Sequence, residues 1–199
     1  MSSLALSSGF ADPVLDGQAT FHAAMNALAR PGSIEAIGAD LDPPMPLTAE
    51  LAAIALALVD HETTLWLDGP LGASSAVVDY LRFHTGVKIV AEPADAAFAL
   101  VVDVADMPRL SEFSLGSDEY PDRSTTIVIA VERLAAGAGS TLSGPGIDHI
   151  SRLIIEPRPS DMAGQLAANR ALFPRGVDLI FAAPGAIAAL PRTTKVSEG

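Results

Sequence analysis

Apolar positions recur along this chain with two different periods. Phe21, Ala24, Met25 and Leu28 fall at helical spacing, so Asp16 to Ala29 reads as a helix with Asp16 as its N-cap. Arg30-Pro31-Gly32 ends it, because proline cannot continue a helix. Ser33 to Ile37 is then a short strand, and the proline-rich Asp42 to Pro46 a loop. Thr48 caps a helix from Ala49 to Val59. Thr63 to Leu67 reads as a strand turning at Asp68-Gly69-Pro70, and Ser74 or Ser75 starts a helix that runs to about His84 and closes at Gly86.

Val87 to Val90 and Phe98 to Asp103 are continuous apolar runs of strand length, as expected of strands covered on both faces. Asp106 to Arg123 lacks a period and reads as irregular with one helical turn. Thr125 to Val131 is a strand, and Gly137 to Gly139 a turn. Ser140 to Ser143 and His149 to Glu156 form a strand pair around the Gly-Pro-Gly turn. Ser160 caps a helix over Asp161 to Leu172, Val177 to Phe181 is a strand, and Ile187 to Leu190 a last helical turn. Alternating helices and strands predict an α/β class: a single domain over residues 13–196 behind a tail of residues 1–12, with a mixed sheet and helices on both faces.

Composition narrows the function. The chain has 199 residues, 49% of them apolar, and a mean hydropathy of +0.36. Much of this is alanine; the rest suggests surface that meets another subunit. The longest apolar run, Leu51 to Val59, is too short to cross a bilayer. The first dozen residues offer neither a basic start nor an apolar stretch of signal length, which points to the cytoplasm. With no cysteine, the chain has no disulfide, thiol nucleophile, zinc–thiolate site or Cys-ligated cluster. A net charge of −12 argues against nucleic acid. That charge is uneven: residues 1–139 carry −13 and residues 140–199 carry +1, so the last third is where an anion would be tolerated.

The candidate chemistry is sparse. His22, His61, His84 and His149 have no ligand spacing, so no metal site is expected. There is no nucleophile elbow, P-loop or dinucleotide fingerprint. The two lysines, Lys88 in a strand and Lys195 near the end, give poor support to Schiff-base chemistry. Gly144 and Gly146 could let backbone approach a neighbour closely. Arginine forks suit phosphonate or carboxylate oxygens, but also pair with acids such as Glu156, Asp161 and Asp178. Arg158 and Arg175 read as ion-paired; Arg192, beside Thr193, stays open between the two roles.

Four blocks carry a resemblance: Gly9 to Gly32, Thr141 to Ile147, Asn169 to Phe181 and Leu190 to Thr194. In this order and spacing, over about residues 10–196, the chain resembles the H subunit of the bacterial carbon–phosphorus lyase core complex, the PhnH family. The resemblance implies a topology like that of pyridoxal-phosphate transferases, without a cofactor. It implies a dimerising protein that assembles with the G, I and J subunits of that complex in phosphonate utilisation. In that assembly an alkylphosphonate displaces adenine from a nucleoside triphosphate to give alpha-D-ribose 1-methylphosphonate 5-triphosphate, with the I subunit as main catalyst. The later carbon–phosphorus cleavage belongs to the iron–sulfur J subunit. The chain is then an accessory subunit, with Gly144, Gly146, Arg170, Arg192 and Thr193 as candidate ligand contacts and no catalytic set. Two alternatives remain: a transferase or hydrolase using Arg192 and Thr193, and a free-standing phosphonate- or phosphate-binding protein.

Overall fold

Two apolar clusters lie on opposite faces of one seven-stranded sheet, and every major element contributes to one or the other. The computed structural model describes residues 7–38 and 40–197; the first six residues of the expected tail lie outside them. In chain order the regular elements are α1 (Leu15–Ala29), β1 (Glu35–Ala36), α2 (Ala49–Leu58), β2 (Thr64–Leu67), α3 (Gly69–Ala73), α4 (Ser75–Thr85) and β3 (Lys88–Val90). They continue with β4 (Phe98–Val101), β5 (Thr126–Ala130), β6 (Arg133–Ser143), β7 (Ser151–Glu156), α5 (Met162–Ala171), β8 (Asp178–Ala183), β9 (Ala186–Leu190) and β10 (Lys195–Ser197).

The main sheet runs β1-β9-β8-β5-β4-β2-β3. Its five strands from β3 to β8 are parallel, and β9 and β1 add antiparallel at the other end, so the sheet is mixed. Val128 and Ile180 face α1, α2 and α4 on one side. Ile127, Ile129, Leu179 and Phe181 face the other. The central strands are therefore apolar at consecutive positions, as strands covered on both faces must be.

The second face departs from expectation. It is covered by one helix, α5, together with a three-stranded antiparallel sheet, β10-β6-β7, and the irregular segment holding Leu110 and Phe113. Gly137–Gly139, read as a turn, lies inside β6, where the register on β7 slips between Ala136 and Ser140. Pairing with β7 carries the backbone through as a bulge, a common use of glycine within strands. Ile187–Leu190, read as helical, is strand β9, because a Pro184-Gly185 hairpin lays it antiparallel on β8. Asp68–Pro70, read as a turn, opens α3 instead, with the Asp68 carboxylate accepting from Leu71 N–H at 3.2 Å.

Three caps are also reassigned or sharpened. Thr48 and Ser74 cap α2 and α4 as expected, and Gly86 closes α4 in the left-handed conformation. Asp16 lies inside α1; the start is capped by Asp12, whose carboxylate accepts from Val14 and Leu15 N–H at 3.0 Å each. Asp16 answers by accepting from Asp12 N–H at 2.9 Å. Ser160 makes no side-chain cap to α5: its carbonyl accepts from the Gln165 amide, and Asp161 stands at the N-cap.

Helix α1 is also rotated from the predicted stripe. Its buried face is Thr20, Ala23, Ala24 and Ala27, small residues that let the helix approach α2 and β9 closely. Phe21 and Met25 are exposed at 45% and 48%. Ahead of α1, the Ser7 and Ser8 carbonyls meet His84 Nε2 and the Tyr80 hydroxyl on α4 at 3.0 and 3.4 Å.

Asn169, buried on α5, ties that helix to β8. Its amide donates to the Val177 carbonyl at 2.9 Å and its carbonyl oxygen accepts from Val177 N–H at 2.8 Å. Replacing it leaves both peptide groups buried and unpaired, at about 1–3 kcal/mol each. Asn169→Ala is expected to lower Tm by roughly 5–15 °C without changing the far-ultraviolet spectrum of the folded state, as a thermal melt followed by circular dichroism would show.

Candidate functional site

In an open α/β sheet, ligands gather at the carboxyl ends of the parallel strands, where the strand order reverses. Here that point lies between β2 and β4, since the chain leaves β2 toward β3 and returns to β4 on the other side. The crevice is filled by the chain itself. Asp68, 4% exposed, directs one carboxylate oxygen to Val102 and Asp103 N–H at 2.6 and 2.8 Å, and the other to Leu71 N–H. Three backbone donors that could cradle an anion are thus taken by an internal one. The lysines are elsewhere: Lys88 is exposed at the start of the edge strand β3, and Lys195 is exposed on β10.

The resemblance blocks converge at two other places. Gly146 adopts φ +79°, and a methyl group on it would stand 2.1 Å from the Ala29 carbonyl oxygen at the end of α1. Gly144, at φ +134°, brings its backbone against Thr193, where a methyl would lie 3.1 Å from the carbonyl oxygen. The Gly-Pro-Gly turn is therefore wedged between the end of α1 and the segment leaving β9. Only glycine combines these dihedral angles with such approach. Around it, Arg30, Gly32, Ile147 and Ile150 line an open groove of about 300 Å³.

Arg170, exposed in the last turn of α5, donates its Nε–H to the same Thr193 carbonyl at 3.3 Å. Gly144, Arg170 and Thr193 are thus brought together, while Gly146 faces α1. Arg192 points a different way. Its backbone N–H and Nε–H both donate to Asp178 Oδ1, at 2.8 and 3.1 Å. Nη1 donates to the Pro121 and Pro174 carbonyls at 2.9 and 3.2 Å. Nη2 donates to the Ser124 hydroxyl and to Asp178 Oδ2. A guanidinium has five N–H groups, and all five are used inside the chain. The pair is mostly buried, with side chains 14% and 21% exposed.

Above this clasp lies an open groove of about 420 Å³, walled by Pro121, Phe173, Pro174 and Pro191, with Asp122 and Thr193 at its rim. Its walls are apolar, and Phe173 is 64% exposed. The other arginines find partners that sequence proximity did not suggest. Arg175 lies 3.3 Å from Asp118, and Arg158 donates to the Ser140 hydroxyl at 3.4 Å. Glu156 is paired by Arg133 and Asp161 by Arg109. Among the described residues, no three His, Asp or Glu side chains gather as a metal site, and no helix is long and apolar enough to cross a membrane.

Sequence reasoning missed Asp68, Ser124 and Asn169. Asp68 had a signal, a carboxylate directly after a strand and before Gly-Pro. Ser124 had none, because its partner Arg192 is 68 residues away in sequence, and Asn169 had none, because both of its partners are backbone groups of Val177.

Comparison with known proteins now bears on the blocks that build these junctions. Residues 8–197 match the profile of a family described as bacterial phosphonate metabolism protein (PhnH). The chain belongs to the PhnH family. One relative, from Rhizobium meliloti (strain 1021), is the alpha-D-ribose 1-methylphosphonate 5-triphosphate synthase subunit PhnH, 42% identical over 192 residues, covering 96% of this chain and 94% of the relative. Another relative, HtxG of Stutzerimonas stutzeri, provisionally described as a C-P lyase subunit protein, is 34% identical over 182 residues, covering 90% of this chain and 85% of the relative.

Two substitutions probe the junctions. Lysine at position 192 keeps the charge but offers three donors on a single nitrogen. Arg192→Lys is therefore expected to cost about 2–4 kcal/mol, measured by urea denaturation; a melt indistinguishable from the parent would mean that charge alone matters there. Gly146→Ala is expected to destabilise by a similar amount through its clash with the end of α1 and its left-handed backbone.

Proposed function

We propose that the chain is an accessory subunit of an alpha-D-ribose 1-methylphosphonate 5-triphosphate synthase within a carbon–phosphorus lyase assembly, acting in phosphonate catabolism in the cytoplasm. The observation that carries this reading is the 42% identity to a subunit of that name across nearly the whole of both chains. The distribution of polar groups supports an accessory role. The best-placed arginine spends its donors within the chain, and the crevice of the sheet is filled by Asp68. In the same reading the fold has a pyridoxal-phosphate-transferase-like topology without the cofactor; both lysines, the side chains Schiff-base chemistry would use, are exposed on strands.

The partners in this reading are the G, I and J subunits, with a homodimer as the isolated form. Exposed apolar side chains on α1 (Leu15, Phe21 and Met25), together with Phe83, Ile150 and Phe173, supply surface for such contacts. Of the five candidate contacts, Arg170 and Thr193 are assigned to any phosphate or phosphonate that reaches this region. Arg170 is exposed and gives one N–H to the Thr193 carbonyl. Gly144, Gly146 and Arg192 shape the backbone beside them.

Tagged co-expression with the G, I and J subunits, followed by size-exclusion chromatography, tests the reading. Co-elution in one assembly is expected, with turnover of nucleoside triphosphate and methylphosphonate by that assembly and none by the chain alone. Turnover by the isolated chain would replace the accessory reading with a transferase. Elution apart from the other subunits, with saturable methylphosphonate binding by calorimetry, would replace it with a binding protein.

A further inference from the structure

Edge strands expose a row of unpaired N–H and C=O groups, and folded proteins usually shorten, charge or cover them. Three of the four edges here are short: β1 has two residues, and β3 and β10 have three each. The fourth, β7, has six, lies at the margin of the three-stranded sheet and pairs on one side with β6. Its sequence, Ser-Arg-Leu-Ile-Ile-Glu, is rich in strand formers and contains no proline.

Side chains alternate across a strand. Leu153 and Ile155 point into the core at 1% and 3% exposure, so Arg152, Ile154 and Glu156 share the solvent face. Glu156 is paired across β6 by Arg133 at 3.1 Å; Arg152 has no ion pair among the described residues.

This strand is complementary to itself. When a second copy is laid antiparallel with Ile154 on a two-fold axis, Arg152 faces Glu156 of the second copy, and the reverse pair repeats it. Leu153 then faces Ile155, and Ile154 faces Ile154. The solvent-face row becomes Arg133, Glu156, Arg152 on crossing from one chain to the other, alternating in sign. A slip by one residue would pair core-facing with solvent-facing positions and set the two cores on opposite faces of the joined sheet, which no two-fold axis relates. A slip by two would set Arg152, or Glu156, against Ile154. One register satisfies both charges and both apolar pairs.

We propose that β7 is the surface through which two copies of this chain associate, joining their small sheets into one six-stranded antiparallel sheet with Ile154 on the axis. This deepens the assembly reading above, resting on it only for self-association of the isolated chain.

The absence of cysteine makes the test clean, since Ile154→Cys introduces a single thiol. Residues directly opposed in an antiparallel pair have Cα atoms about 4.5–5.5 Å apart, within disulfide reach. Under mild oxidation Ile154→Cys is expected to become a covalent dimer, while Phe173→Cys, more exposed than Ile154 but remote from β7, stays a monomer on a non-reducing gel. In sedimentation equilibrium, Arg152→Glu and Glu156→Arg are each expected to weaken self-association about tenfold by placing like charges opposite one another. An equimolar mixture of the two variants recovers it, because each then presents the charge that the other lacks. Both positions are exposed, and matched thermal melts check that the fold is retained. A dimer indifferent to both substitutions, or uncoupled from oxidation of Ile154→Cys, overturns the β7 surface and leaves the homodimer reading standing. A parent chain monomeric at tens of micromolar overturns both.

Discussion

The Arg192 guanidinium ties together segments of the chain that are well separated in sequence. Through Asp178 it fixes the start of β8, through Ser124 the approach to β5, and through Pro121 and Pro174 the loops in front of both strands. β5 and β8 are neighbouring parallel strands at the centre of the main sheet. Parallel pairing gives no hairpin to set register locally, so a side chain bridging the amino ends of two such strands does work that a turn does elsewhere. Bidentate pairing with one carboxylate, and every remaining N–H given to oxygen, makes this arrangement geometrically specific as well as attractive.

From that anchor the chain runs directly into Thr193, whose carbonyl accepts from Arg170 and lies close beside the Gly144 backbone, and then into β10, which completes the small sheet. The small sheet, α5 and the Leu110–Phe113 segment seal the second face. The family-defining blocks are thus mostly joints of the architecture. Their glycines mark where backbone meets backbone, and their most conspicuous arginine marks where loops are tied. An accessory subunit fits this distribution, since shape has absorbed the polar groups that chemistry would need.

The sequence was most legible where local physics decides. Helix α4, with Ser74 and Gly86 at its ends, and the buried strands β4 and β5 followed from capping and apolar runs. It was least legible where a distant pairing overrides local preference. Gly137–Gly139 has the composition of a turn, yet β7 holds it as a bulge; Ala-Ile-Ala-Ala-Leu has good helix formers, yet the hairpin with β8 makes it a strand. The face of α1 was misjudged because alanines, not the larger Phe21 and Met25, gave the closest packing. At the site, Arg192 and Asp178 could be named beforehand as candidate partners, but Ser124 and two proline carbonyls could not, since no pattern in sequence announces a backbone acceptor from another loop.

The Asp68 carboxylate in the sheet's crevice has a further consequence. A ligand built into the polypeptide is present at an effective concentration far beyond that of any diffusing metabolite, on the order of molar or more for well-oriented groups. Phosphate, nucleotide and organic acids would have to compete against that tether for the same three amides. A small anion entering that position would first have to displace a carboxylate already bonded to Leu71, Val102 and Asp103 N–H.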